Sequence, residues 1–257
     1  MEKKVFNKEF INLKESKGAR YGYMLDTIPQ DVMEDFSIEV NNIKNNFIPS
    51  SKRNHTLAGQ ISKEYAFNFN KKLAKYIETV CIDFEKKSLG FIKHNFLDIP
   101  DFRVMTFRSS NNERSPVPHD FLPNLNISEA WCNFQEKGEY NPPHLHTGLL
   151  SFVIWYEIPY TSSEEEEVHK HKYTNKKADL LVNGAFGFLP SINDNTTNIP
   201  IKVDKSFNGT LCIFPSDLYH YVNPFFSSDD YRITISSNIS FVDIYDTLDK
   251  MEKYYKK

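Results

Sequence analysis

Residues 131–151 read WCNFQEKGEYNPPHLHTGLLS, and the triplet at their centre, His144-Leu-His146, governs how the rest of the chain is understood. Side chains alternate along a β-strand with period two, so a strand through this triplet points both imidazoles to one face. One leucine between two histidines is a spacing for gripping a metal ion. His220 lies far along the chain, in FPSDLYHYV, and reaches that face only if its strand neighbours the first in one barrel. The expected ligand set is His144, His146 and His220. Beyond it, in YRITISSNI, alternation puts Arg232, Thr234 and Ser236 on one face. A guanidinium donates two parallel hydrogen bonds to a carboxylate and a hydroxyl two residues on adds a third, so this face suits an anionic group.

Around this centre the chain divides into a helical opening, a β-rich body and a helical tail. Pro29 suits the first turn of a helix, and Val32, Phe36, Val40, Ile43 and Phe47 recur at helical intervals after it. A second helix is expected over residues 62–86, with Phe69, Leu73, Tyr76, Val80 and Phe84 as its apolar stripe and HTLAGQ before it as a turn or cap. From residue 102 the pattern changes to short β-favouring runs between Pro, Gly and Asn clusters: FRVMTF, EAWCNF, LLSFVIWYEI, GAFGFL, TLCIF and YRITISSNI. Strands so spaced predict a sandwich or barrel. Ile244, Leu248, Met251 and Tyr255 predict a last helix. The expectation is a single domain over 1–257, with helical support over 1–100, a β core over 101–242 and a C-terminal helix over 243–257.

Two stretches look like excursions. Residues 109–126, rich in Pro, Asn and charge, read as a long loop that could rim a site. Residues 162–177, SSEEEEVHKHKYTNKK, place an acidic run before a basic one and read as a solvated loop, with a mobile lid as the functional alternative. This stretch holds a second His-x-His, His169 and His171, but no rigid apolar scaffold flanks it to orient the rings.

Composition bounds the partners. With 257 residues, 40% hydrophobic, the chain can bury a large core. A net charge of −3 gives no broad attraction to nucleic acid. Cys81, Cys132 and Cys212 are widely separated and odd in number, which fits a reducing compartment, and no apolar run approaches the roughly 18 residues of a membrane span. A cytoplasmic protein without a membrane partner is expected.

Three imidazoles from strands suit ferrous iron, because a facial set of three protein ligands leaves positions where a chelating acid and dioxygen bind together. The ordered set Trp131-x-Asn133, Gly138, Asn141-Pro-Pro-His144-x-His146, Leu150-Ser151, Gly209-x-Leu211-x-x-Phe214-Pro215-Ser216, His220, Pro224 and Arg232-x-Thr234-x-Ser236-x-Asn238 resembles the Fe(II)/2-oxoglutarate-dependent oxygenases of the double-stranded β-helix (jelly-roll, cupin-like) fold. Among these it is similar to a group common in marine bacteria and their tailed phages. The likeness runs over residues 131–241, with a weaker echo in HTLAGQISKEY.

The resemblance implies that Fe(II) and 2-oxoglutarate serve as cofactor and co-substrate. Dioxygen is consumed, succinate and carbon dioxide are released, and a substrate C–H bond is hydroxylated. It implies His144 and His220 as ligands, His146 in the position of the third ligand, and Arg232 with Thr234 as the clamp for the distal carboxylate of 2-oxoglutarate. Asn133 and Tyr156 are further candidates for holding the co-substrate. The wider superfamily has Asp or Glu where this chain has His146. Either His146 completes a three-histidine site, or it stands outside a set completed by water, Asp217 or Glu157, or catalysis is lost. A peptide or amino-acid substrate is preferred over nucleic acid, given the net acidity. The alternatives are a three-histidine cupin-type oxygenase that does not use 2-oxoglutarate, and a non-catalytic jelly-roll binding module.

Overall fold

A computed structural model describes residues 2–16, 19–54, 57, 59–92, 125–172, 183–192 and 195–241. In chain order the elements are β1 (Glu9–Ser16), β2 (Ala19–Thr27), α1 (Gln30–Asn46), β3 (Glu64–Ala66), α2 (Lys71–Lys87), β4 (Leu125–Gln135), β5 (Asn141–His144), β6 (Leu150–Glu157), α3 (Ser162–Lys172), β7 (Phe186–Phe188), β8 (Ser191–Ile192), β9 (Asn195–Thr196), β10 (Ile199–Ile201), β11 (Thr210–Pro215), β12 (His220–Val222) and β13 (Arg232–Phe241). A seven-stranded sheet has the order β1-β2-β11-β6-β13-β4-β3, a four-stranded sheet the order β10-β7-β12-β5, and all named pairings are antiparallel. Between β4 and β13 the chain passes back and forth between the sheets, so β4, β6, β11 and β13 lie in one and β5, β7, β10 and β12 in the other. That alternation is the double-stranded β-helix.

Strand parity sorts side chains into two cores. Outward from the larger sheet, Ile154, Leu211, Ile213, Ile233 and Ile235 meet Val32, Phe36 and Val40 of α1 and Leu73, Ile77, Val80 and Phe84 of α2. Inward, Val153, Trp155, Cys212 and Phe214 face Phe186 and Phe188 of the smaller sheet. Both helices are set by local signals. Pro29 stands immediately before α1, which ends at Phe47 in the left-handed conformation with its N–H donating to Ile43 O. Asn70 caps α2 by accepting from Leu73 N. Among the described residues no helix is long and apolar enough to cross a membrane.

Three expectations are corrected. The first hundred residues are not helical support alone, since β1 and β2 extend the larger sheet beyond β11 and β3 forms its other edge. Residues 62–69 do not begin the second helix: Glu64–Ala66 pairs with β4, and the helix starts only after the Asn70 cap. The acidic stretch that reads as a loop is α3. Thr161 and Glu164 form a capping box, with Glu164 N donating to Thr161 Oγ1 and Thr161 N donating to Glu164 Oε2. Glu165, buried, accepts from Phe226 N, Ser227 N and Ser227 Oγ and pins the helix to the body. The expected strand at 102–107, most of the 109–126 loop and the C-terminal helix lie outside the described residues, as do the side chains of His169 and His171.

Glu64 sits opposite Asn133 in the β3–β4 pair and is buried. Its carboxylate's one hydrogen bond among the described residues comes from Asn54 Nδ2 at 3.4 Å. Burial, with the Glu139 carboxylate nearby, pushes its pKa up to about 7.

Phe36 is fully buried between Phe67 and Phe69, at centroid distances of 5.9 and 6.1 Å. Phe36→Ala should cost about 3–5 kcal/mol in urea unfolding, the range for a large aromatic removed from a packed core. Glu64 generates a pH dependence. Below pH 4.5 its carboxyl is protonated in both states; between there and pH 7 the unfolded chain ionises first, so its contribution to stability is lost as pH rises. Glu64→Gln should remove this component and leave the variant more stable than the wild type at pH 8, by on the order of 3 kcal/mol. An equal difference between the two proteins at pH 4.5 and pH 8 would contradict it.

Candidate metal centre

The antiparallel pairing of β5 with β12 sets His144 opposite His220, and both rings enter the space between the sheets. His146 arrives differently from the expectation. β5 ends at His144, so no regular strand runs through the triplet, and His146 lies in the turn that follows. Its place there is fixed by its backbone N–H donating to Ser216 O at 3.0 Å and by its ring packing on Trp131 at 5.6 Å. The turn returns through Gly148, where φ is +113° and a Cβ would stand 2.9 Å from Ile239 O, so only glycine fits. Beneath it Ser151 Oγ donates to Asn238 Oδ1 at 2.9 Å and therefore accepts the 2.9 Å bond from Ser216 Oγ. Ser151, Ser216 and Asn238 belong to the sequence pattern, and their part is to hold together the three strands that carry this turn.

The three imidazoles converge. Ring centroids are 4.3 Å apart for His144 and His220 and 4.9 Å for each pair with His146, and one potential ligand atom from each lies within 4.8 Å of the others. His144 Nδ1 lies 2.7 Å from Pro142 O and His220 Nδ1 3.0 Å from Leu218 O. A carbonyl can only accept, so each Nδ1 carries the proton and Nε2 keeps its lone pair. Burial lowers the pKa of all three, assisted at His146 by His144 and at His220 by both neighbours; His146 falls to about 4 and His220 well below its usual value. The rings are thus neutral at pH 7, the state in which imidazole binds a metal. Asp217 and Glu157, the alternative carboxylates, are exposed and outside the cluster, and Asp217 accepts from Tyr21 OH.

The cluster opens on a cavity continuous with solvent, whose other wall is the inner face of β4 and β13. The register lays out its polar rows: Arg232 opposite Gln135, Thr234 opposite Asn133, Ser236 opposite Trp131. Arg232 is 1% exposed; one guanidinium nitrogen donates to Gly184 O at 2.9 Å, while its Nε has no partner among the described residues. No carboxylate among the described residues pairs with it. Asn133 Nδ2 donates to Thr234 Oγ1 at 3.1 Å, which leaves the threonine hydroxyl hydrogen free for another acceptor. Tyr156 does not face this cavity. It lies on the opposite face of β6, packs with the helix-side core and donates to Ser37 Oγ at 3.0 Å. Gln135 and Asn141 line the cavity without having been assigned a part from sequence.

Neutral imidazoles with bare Nε2 atoms suit a divalent ion, and an unpaired guanidinium N–H in the same cavity suits an anion, so the residues fit iron and 2-oxoglutarate. Comparison agrees with this chemistry. Residues 129–238 match the family described as "Putative 2OG-Fe(II) oxygenase", 2OG being 2-oxoglutarate. Among solved structures, a Pseudomonas putida prolyl-4-hydroxylase is similar at 10% identity and TM-score 0.49, over 87% of this chain and 94% of that one. A Trichoplax adhaerens prolyl hydroxylase, in complex with a hypoxia inducible factor peptide fragment, is similar at 9% and 0.48, over 91% and 87%. The viral collagen prolyl hydroxylase of Paramecium Bursaria Chlorella virus-1 is similar at 15% and 0.43, over 86% and 96%. No match was found among curated proteins. The stretch that matches the 2OG-Fe(II) oxygenase family, residues 129–238, is the one that carries the three histidines and Arg232.

Proposed function

We propose that the chain is a hydroxylase in which His144, His146 and His220 hold Fe(II) while Arg232 and Thr234 hold the distal carboxylate of 2-oxoglutarate. The observation that carries this is the shared cavity: three neutral imidazoles converge at one side, and a buried guanidinium with an unused Nε lies on the facing wall. Iron with 2-oxoglutarate and dioxygen supplies the oxidation, giving succinate, carbon dioxide and a substrate C–H bond converted to C–OH.

The chain's own residues do the positioning. The carbonyls of Pro142 and Leu218 fix two rings so that Nε2 faces the ion without reorganisation. Asn133 acts through Thr234: by donating to Oγ1 it turns the hydroxyl into a donor toward the carboxylate. Phe186 and Phe214 pack on His220, at centroid distances of 5.7 and 4.7 Å, and keep water from that side of the cluster. The substrate is an amino acid or a peptide.

Anaerobic titration of the iron-loaded protein with 2-oxoglutarate should develop the visible charge-transfer band of the chelate. No band in the wild type would remove the co-substrate and favour direct substrate binding to a three-histidine iron. Arg232→Ala should weaken 2-oxoglutarate by about 2–5 kcal/mol, the loss expected when a buried carboxylate is deprived of its charge-assisted partner. An unchanged affinity would place the clamp elsewhere. His220→Ala should abolish stoichiometric iron binding by metal analysis while the far-UV circular dichroism stays that of the wild type.

A further inference from the structure

Among the described residues, the cavity wall nearest β3 carries more hydrogen-bond acceptors than there are donors for. Asn133, 5% exposed, has its amide nitrogen on Thr234, but its Oδ1 is buried without a partner among the described residues. Asn141 Oδ1 is likewise buried and unpartnered, and both residues line the cavity that holds the histidines. The third acceptor is Glu64, buried behind that wall, whose carboxylate takes one long bond of 3.4 Å from Asn54 Nδ2. Directly paired residues on neighbouring strands project to the same face, so Glu64 stands beside Asn133 on the inner side, while the next residue, Tyr65, joins the helix-side core.

Gly59 brings these groups together. A Cβ placed on it would stand 2.1 Å from Asn141 Oδ1 and 3.3 Å from Glu64 Oε1, so both oxygens crowd one point that only a glycine leaves clear. Glu64 forms no ion pair among the described residues, and the nearby Glu139 carboxylate, which accepts from Ser62 N and Glu136 N, adds a second negative charge without a cation. Lys63, the adjacent lysine, is engaged by Glu136 and Tyr231. Buried acceptors without donors are costly and are kept in native proteins where a ligand or water completes them. 2-Oxoglutarate cannot do so, since it is itself only an acceptor at neutral pH. A primary ammonium has three donors and no acceptor, matching three acceptor groups in number and sign.

We infer that Glu64, Asn133 and Asn141 form a subsite for a primary ammonium group on the substrate. This rests on the oxygenase reading for its setting and deepens it, because it names the substrate as an amine. The ammonium docks on the β3 side of the Thr234–Asn133 row, and the co-substrate's anionic end docks on the Arg232 side.

The test uses iron-loaded protein, anaerobic and saturated with 2-oxoglutarate, titrated by calorimetry with n-butylammonium and with n-butanol as the uncharged probe of similar length. The wild type should prefer the ammonium by about tenfold or more, as for a charge-assisted contact in a sheltered site. Glu64→Gln should lose most of that preference and keep the 2-oxoglutarate chelate band. Asn141→Asp should increase the preference, which keeps the inference open to refutation if the first variant folds poorly. Titration with L-lysine and with acetyl-Gly-Lys-Gly-amide separates a free amino acid from a peptide-borne amine, and a preference for either supports the subsite. Equal affinities for butylammonium and butanol, or no binding of either, overturn it, as does a preference that survives Glu64→Gln. A missing chelate band fails the oxygenase reading instead, and the amine preference is then read on the metal-loaded protein alone.

Discussion

The pairing of β12 with β5 places His220 opposite His144, and a slip of β12 by one residue would turn the His220 ring out of the barrel, because strand side chains alternate with period two. Such a slip would bring exposed Tyr219 inward in place of a ring held at 3% exposure. The register is secured from the other side, where β12 also pairs with β7 and sets His220 opposite Phe188 and Tyr221 opposite Gly187. A Cβ at Gly187 would lie 2.2 Å from the Tyr221 ring, so the glycine is what lets that tyrosine lie flat across the strand and donate to Asn198. The local anchors follow from the same pairing. Each ring meets the carbonyl two residues before it, which fixes the tautomer and leaves the metal-binding nitrogen bare.

The larger sheet serves two environments at once. Along β13, Ile233, Ile235 and Ile239 go to the helices, whereas Arg232, Thr234 and Ser236 go to the cavity. The apolar half is held by bulk burial against α1 and α2, which tolerates small shifts. The polar half is not so forgiving, because a buried donor or acceptor without a partner costs about 1–3 kcal/mol. Where the inner face is structural, as at Ser151, Ser216 and Asn238, the polar groups are joined to one another. Where it borders the cavity, Arg232 Nε, Asn133 Oδ1 and Asn141 Oδ1 are left unjoined. The contrast separates the part of the face that builds the protein from the part that meets ligands.

The same parity explains what could be read from the sequence. Arg232, Thr234 and Ser236 were legible as one face because β13 alternates visibly between isoleucines and polar residues. Tyr156 was not, because LSFVIWYE is buried on both sides and a continuous apolar run hides which residues point which way. The histidine triplet gave the right cluster for an incomplete reason: β5 stops at His144, and His146 is delivered by a turn that depends on Gly148 and on the distant Ser216 carbonyl. β1 and β2 carry charges among their apolar residues and owe their strand form to pairing, β2 with the distant β11 and β1 with β2. For α3 the capping signal Thr161-Ser-Ser-Glu164 was present, but the charge run around it resembles a solvated loop. What tied the helix down, Glu165 on the backbone of Phe226 and Ser227, is a long-range contact that no local pattern announces.

The charge balance of the cavity bears on why a third histidine stands where the wider superfamily has a carboxylate. Burial keeps all three imidazoles neutral, so among the described residues lining the cavity Arg232 alone carries a formal charge, and the Glu64 carboxyl lies buried behind the Asn133 wall. A carboxylate at position 146 would cancel one charge of a bound divalent ion; an imidazole cancels none. A dianionic co-substrate therefore meets a more positive centre here, and one unit charge at about 5 Å with an effective dielectric near 20 alters its binding by roughly 3 kcal/mol. In the proposed reading the ion and the guanidinium would take the two carboxylates of 2-oxoglutarate, and the acceptor oxygens around Glu64 would be left to the substrate. In that reading the cavity's cationic groups and its acceptor oxygens would orient both ligands before any chemistry begins.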